Sequence, residues 1–212
     1  MGILNKILSK FKENRDDPKE EDNDPKQKNK RLVEEEKIEE RELVIGFDFG
    51  TAFTKVIIGD NLASQSYAIS FGKLGSSENE YLIPSRIFCC EDNSVSLSKE
   101  DGREVPNLKL GLLNNNPGSN QACQLTTLYI ALVLRESRNW FLKNYGDIYK
   151  NIKIIWALNL GLPSRSYEED ELKLRFRSLA IAGWALSQSN ETLTIESVDK
   201  ILNEAKSLLA QS

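Results

Sequence analysis

The chain has 212 residues, with 28 Lys and Arg against 32 Asp and Glu and a formal net charge of −4, which leaves no basic footprint for nucleic acid. It has three cysteines and no histidine, so Ser-His-Asp catalysis, Cys-His catalysis and zinc–histidine sites are excluded. Adjacent Cys89 and Cys90 with a distant Cys123 match neither a zinc spacing nor a disulfide framework, and a reducing, cytoplasmic setting is the expectation.

In chain order, Met1 to Lys12 carries Ile3, Leu4, Ile7, Leu8 and Phe11 at helical spacing, with Lys6, Lys10 and Lys12 on the other side. This predicts a short amphipathic, basic helix. Such a helix can make peripheral contact with an anionic membrane, dock in a partner's groove, or pack on the protein's own body. Met1-Gly2 begins like a myristoylation signal, but Lys6 stands where Ser or Thr belongs. Residues 13–42 are nearly all charged or polar and include Pro18 and Pro25. They bury too little apolar surface to offset their ordering entropy, which predicts a disordered charged linker, helical at most from Arg31 to Glu40. No run of about eighteen apolar residues is present, so no membrane span is expected.

Residues 43–212 read as one folded α/β unit. Leu43–Phe47 and Thr54–Ile58 are β-branched runs flanking an Asp48-Phe49-Gly50-Thr51 turn, which predicts a hairpin. Ser66–Phe71 is a candidate third strand. Ile83-Pro84-Ser85 leads to a short run, Arg86–Cys90, and then a loop-rich stretch to Asn107. Leu108-Lys109-Leu110-Gly111 precedes a second loop, Asn114–Asn120. Gln121–Asn144 predicts a long helix with Leu125, Leu128, Leu132 and Trp140 on one stripe. Ile152–Leu160 is apolar on both faces, which predicts an interior strand. Tyr167–Ser187 predicts a helix whose Ala180, Ala182, Gly183 and Ala185 allow close packing, and Glu196–Gln211 a final amphipathic helix.

The hairpin is where chemistry is expected. Small residues at Gly50, Thr51 and Ala52 let backbone N–H groups approach a phosphate closely. Thr51 adds a hydroxyl. Asp48 adds a carboxylate suited to holding magnesium through its waters, and Lys55 a point charge for a phosphate oxygen. A turn that merely relieves a bend would use the same Gly50.

The Glu42–Asp60 stretch, ELVIGFDFGTAFTKVIIGD, resembles the first phosphate motif of the actin, Hsp70 and sugar-kinase superfamily. The order of later pieces is similar to the first lobe of an Hsp70-type nucleotide domain over about residues 43–190. Those pieces are Ile83-Pro84-Ser85, Lys109-Leu110-Gly111, the long helix, Leu162-Pro163-Ser164 and Ala182-Gly183. The resemblance implies a ribonuclease H-like, actin-like ATPase lobe with a mixed sheet and flanking helices. It implies ATP and Mg2+ as cofactors, with Asp48 near the magnesium and Gly50, Thr51, Ala52 and Lys55 at the phosphates. Ala52 replaces a second Thr common in Hsp70 proteins. The family's lysine from the smaller subdomain has only Lys99 as a candidate by order.

No second Asp-x-Gly-Thr pattern follows Pro163, and no catalytic residue can be assigned. The implied function is therefore a chaperone-like or regulatory ATP-binding lobe that needs a second-lobe protein partner before it could hydrolyse ATP. The alternative is a non-catalytic, membrane- or complex-tethered scaffold of the actin-like type.

Overall fold

The computed structural model describes residues 39–99, 102–113, 119–162 and 169–210. The helix expected over 1–12, the linker up to residue 38, Asn114 to Gly118 and the Pro163-Ser164 pair lie outside the described residues.

The chain is α/β with a mixed sheet. Strand β1 (Glu39–Phe49) pairs antiparallel with β2 (Phe53–Asp60), and β2 pairs antiparallel with β3 (Gln65–Ala68). Short β4 (Ile83–Pro84) also lies on β2. After a crossover through a long helix, β8 (Ile152–Leu160) lies parallel to β1. The order is β3-β2-β1-β8. A second sheet, β6-β5-β7, joins β5 (Ile87–Cys89), β6 (Val95–Ser96) and β7 (Arg103–Val105).

Two expectations are corrected here. Residues 39–42 belong to β1 and not to the linker, and the helix expected to Glu40 does not reach that far. Their polar side chains enter the strand because their backbone pairs with Ile152–Ile155, and Glu40 and Lys153 form an ion pair across that ladder. The second correction concerns β8, which among the described residues is the outermost strand and not an interior one. Its even-numbered residues lie beside the buried side of β1 and its odd-numbered ones on the other face; most are half-buried. Apolar residues on both faces of a strand therefore do not tell an interior strand from an edge.

Four α-helices are described: α1 (Leu108–Leu113), α2 (Ser119–Tyr145), α3 (Asp170–Ser187) and α4 (Ile195–Leu209). The burial of β1 alternates, with Leu43, Ile45, Phe47 and Phe49 wholly inside. Helix α2 covers that face and is itself covered by α3 and α4. It therefore buries Ile130, Val133 and Leu134 as well as Leu125 and Leu128, a wider band than the stripe expected. Gly183 of α3 sits where a Cβ would lie 2.8 Å from Ile130 Cγ2, which is how the two helices approach so closely. Arg135 and Arg138 of α2 donate to the carbonyls of Leu186 and Ser187 at the C-terminal end of α3, where cations are favoured. Burial, with Arg135 adding to it, pushes Arg138 down to about 10. The small sheet is tied to the body by Val95 N–H donating to Leu193 O at 3.0 Å. No described helix is long and apolar enough to cross a membrane.

At the end of the main sheet away from the β1–β2 turn, buried Asp60 accepts from Tyr149 Oη at 2.9 Å, Arg41 at 3.1 Å and Ala63 N–H at 3.0 Å. Burial pushes its carboxyl up, but the three donors together outweigh burial and hold it below the usual carboxylate range. A depressed carboxyl stabilises the fold above its unfolded value near about 4 and loses that stabilisation as pH falls through the folded value. Thermal melts from pH 6 to pH 3 are expected to show a steeper loss for the native chain than for Asp60→Asn. At pH 7 that variant is expected to be less stable by about 1–3 kcal/mol.

Candidate functional site

The β1–β2 turn is built by backbone contacts. The ladder ends at Phe49 opposite Thr54, and Gly50 N–H donates to Phe53 O at 3.0 Å. A Cβ on Gly50 would lie 2.3 Å from that same oxygen, so the loop closes this way only with glycine. Thr51 and Ala52 are exposed at the tip, and among the described residues their N–H groups make no hydrogen bond. Such free amides suit an anion.

Asp48 and Lys55 face each other across the ladder, with Lys55 Nζ 3.2 Å from Asp48 Oδ2. Their side chains are 64% and 57% exposed, so the pair stabilises the fold little and both groups are available to a ligand. The structure thus brings together all five residues singled out from the sequence. Asp48, Thr51 and Lys55 supply side-chain groups, Ala52 offers only its backbone, and Gly50 shapes the loop.

The sequence reading missed how the turn is held. Ile83-Pro84-Ser85 lies along the start of β2, where Ser85 N–H donates to Ala52 O and Ser85 Oγ to Gly50 O, both at 2.9 Å. Buried Thr54 Oγ1 lies 3.0 Å from Ser85 Oγ. Beneath them, Tyr129 of α2 donates to Pro84 O at 3.2 Å, and burial raises its phenol above the ordinary value. The Ile-Pro-Ser segment is legible in the sequence, but its role as a brace depends on a contact 35 residues away.

Lys109 was also missed as a site residue. It lies on α1 and its Nζ donates to Phe49 O at 2.5 Å, 5.8 Å from the centre of the Phe49 ring. Burial pulls its ammonium below the ordinary value, and Asp48 partly offsets this. A half-buried cation therefore stands beside the carboxylate of the hairpin. Lys99, the candidate by order, is exposed just after β6 of the small sheet and has no such contact among the described residues.

The tip also borders a cleft of about 470 Å³, whose walls include Thr51, Ala52, Ser76, Ser77 and Arg86. Arg86 is held there by Glu104 at 3.1 Å. Among the described residues no three His, Cys, Asp or Glu side chains cluster as a metal cage. At the hairpin the donors are one carboxylate and one hydroxyl. That set fits magnesium that keeps most of its waters and takes phosphate oxygens, and it would hold the ion only together with a phosphate. Compared with known proteins, the chain matches no family model, no curated protein and no solved structure.

Proposed function

We infer that the β1–β2 hairpin binds the phosphates of ATP with magnesium, and that residues 39–210 act as a nucleotide-binding lobe of the actin and Hsp70 type. The observation that carries this reading is the braced turn. Free amides at Thr51 and Ala52, the exposed Asp48–Lys55 pair and the half-buried Lys109 ammonium of α1 gather around one short turn. A strand order in which three antiparallel strands are followed by a helix and a parallel β8 supports it as well.

In this reading Lys55 and the turn amides contact phosphate oxygens, and Asp48 holds waters of the magnesium. Lys109 keeps the end of β1 in place and adds positive charge. Bound magnesium supplies charge neutralisation at the phosphates. These contacts all come from one side. Phosphoryl transfer depends on positioning and charge stabilisation around the whole group, so the proposed activity is binding, with turnover requiring groups from a second lobe.

The test is calorimetry of ATP binding to the full chain, with magnesium and with EDTA. Lys55→Ala is expected to weaken Mg-ATP binding by about 10- to 100-fold, the size of a lost charged hydrogen bond. Asp48→Ala is expected to abolish the difference between magnesium and EDTA. Because it also removes a negative charge, it should leave metal-free ATP binding unchanged or tighter. Absence of binding by the native chain, or equal binding by all three proteins, overturns the reading and favours the scaffold alternative.

A further inference from the structure

We propose that β8 is the contact between two copies of this chain, joined strand to strand about a two-fold axis at Trp156. The sheet ends at β8, and among the described residues nothing pairs with its outer edge. Edge strands are ordinarily short, charged or interrupted by proline, because a bare row of N–H and C=O groups templates further pairing. The opposite edge strand, β3, follows that rule with four residues. Strand β8 does not: it has nine residues, no proline, and Lys153 as its one charge.

Side-chain burial points the same way. Leu43, Ile45 and Phe47 of β1 are at most 1% exposed, whereas their neighbours across the ladder, Trp156, Leu158 and Leu160, remain partly exposed. The face is shared, so the shielding missing on β8 is on its outer side.

The backbone limits the register to one centred on an even-numbered residue, and full overlap of the nine residues of β8 picks Trp156. Gly161 N–H donates to Phe47 O at 2.9 Å. Since direction alternates along a strand, Lys153, Ile155, Ala157 and Asn159 also turn their backbone groups toward β1. Ile152, Ile154, Trp156, Leu158 and Leu160 turn theirs to the open edge. An antiparallel copy centred on Trp156 sets Ile152 against Leu160, Ile154 against Leu158 and Trp156 against itself. Every one is a pair that exchanges two backbone bonds. The half-exposed side chains of the two copies then meet on one face, as the isologous contact of a two-fold dimer requires. On the other face Ile155 meets Ala157, a large residue against a small one. The charge also fits, because Lys153 falls opposite Asn159 and never opposite itself. Leu160 lies beside the phosphate turn, so the two candidate sites sit at opposite ends of the joined sheet and neither completes the other.

Position 159 gives a test that spares the fold, since Asn159 is exposed. Sedimentation velocity of the full chain without nucleotide, from 1 to 100 µM, is expected to show a species of twice the 24.0 kDa protomer mass. Asn159→Lys sets lysine against Lys153 at both ends of the contact and is expected to weaken dimerisation about fivefold or more. Asn159→Glu makes two opposite-charge pairs and is expected to tighten it by a similar factor. Both variants should melt as the native chain does when dilute. A native chain that stays monomeric at 100 µM overturns the proposal, as happens if the edge is covered by another segment or another protein. A dimer that responds equally to both substitutions overturns it too. Neither result bears on ATP binding, which is read separately.

Discussion

Gly50→Ala is expected to destabilise the chain by about 3 kcal/mol and to remove the proposed Mg-ATP binding, combining overpacking with the loss of turn hydrogen bonds. The new Cβ would sit 2.3 Å from Phe53 O, and the obstacle is backbone that cannot rotate away. The loop would have to open, and with it go the Gly50–Phe53 hydrogen bond and the Ser85 contacts to Gly50 and Ala52. Urea denaturation measures the first effect and calorimetry the second. Gly46→Ala is the control. Its Cβ would meet Ile57 O at 3.7 Å, an ordinary contact, so its cost should stay under about 1 kcal/mol. If the two variants cost the same, the turn does not close as described.

Phe141→Ala is expected to cost about 3–5 kcal/mol, the range for removing a buried aromatic ring. Phe141 is wholly buried in α2, with the rings of Tyr67, Tyr149, Tyr145 and Trp156 at 5.2 to 5.8 Å. These rings come from β3, α2, β8 and the turn before β8, so this cluster joins the helix to the far end of the sheet. Their edge-to-face and tilted contacts add to simple area burial. The cavity should also loosen Trp156, seen as a weaker near-ultraviolet circular dichroism band. Leu142→Ala next door, 45% exposed, should cost no more than about 0.5 kcal/mol. A small loss at Phe141 would mean the cluster collapses without penalty.

How much could be read in advance depends on the range of the interaction. The Asp48-Phe49-Gly50-Thr51 hairpin is a local signal. The turn residue and the branched residues on each side act within a few positions, so its strands were legible, as was Ile152–Leu160 as a strand. The Asp48–Lys55 pairing follows from hairpin register once the turn is placed. The helices expected over Tyr167–Ser187 and Glu196–Gln211 were similarly readable from their apolar spacing, and they form over Asp170–Ser187 and Ile195–Leu209.

Other features were beyond such reading. Lys109 and Ser85 join the site only because α1 and β4 pack against the end of β1 and the start of β2, contacts spanning 60 and 35 positions. A lysine beside Leu and Gly carries no local mark of that role. Polar Glu39–Glu42 became strand because β8 offered a backbone partner more than a hundred residues later.

By itself, then, the sequence determined the hairpin with its glycine turn, the alternation of strands and helices, and which residue types could do chemistry. Each of these rests on local backbone preference and on the period of apolar residues. Tertiary structure alone decided which distant lysine reaches the end of β1, what braces the turn, and that Ile152–Leu160 is the outermost of the described strands. Those outcomes depend on which surfaces bury one another, and hydrophobic burial is non-directional: a pattern says that a face is covered without saying by what.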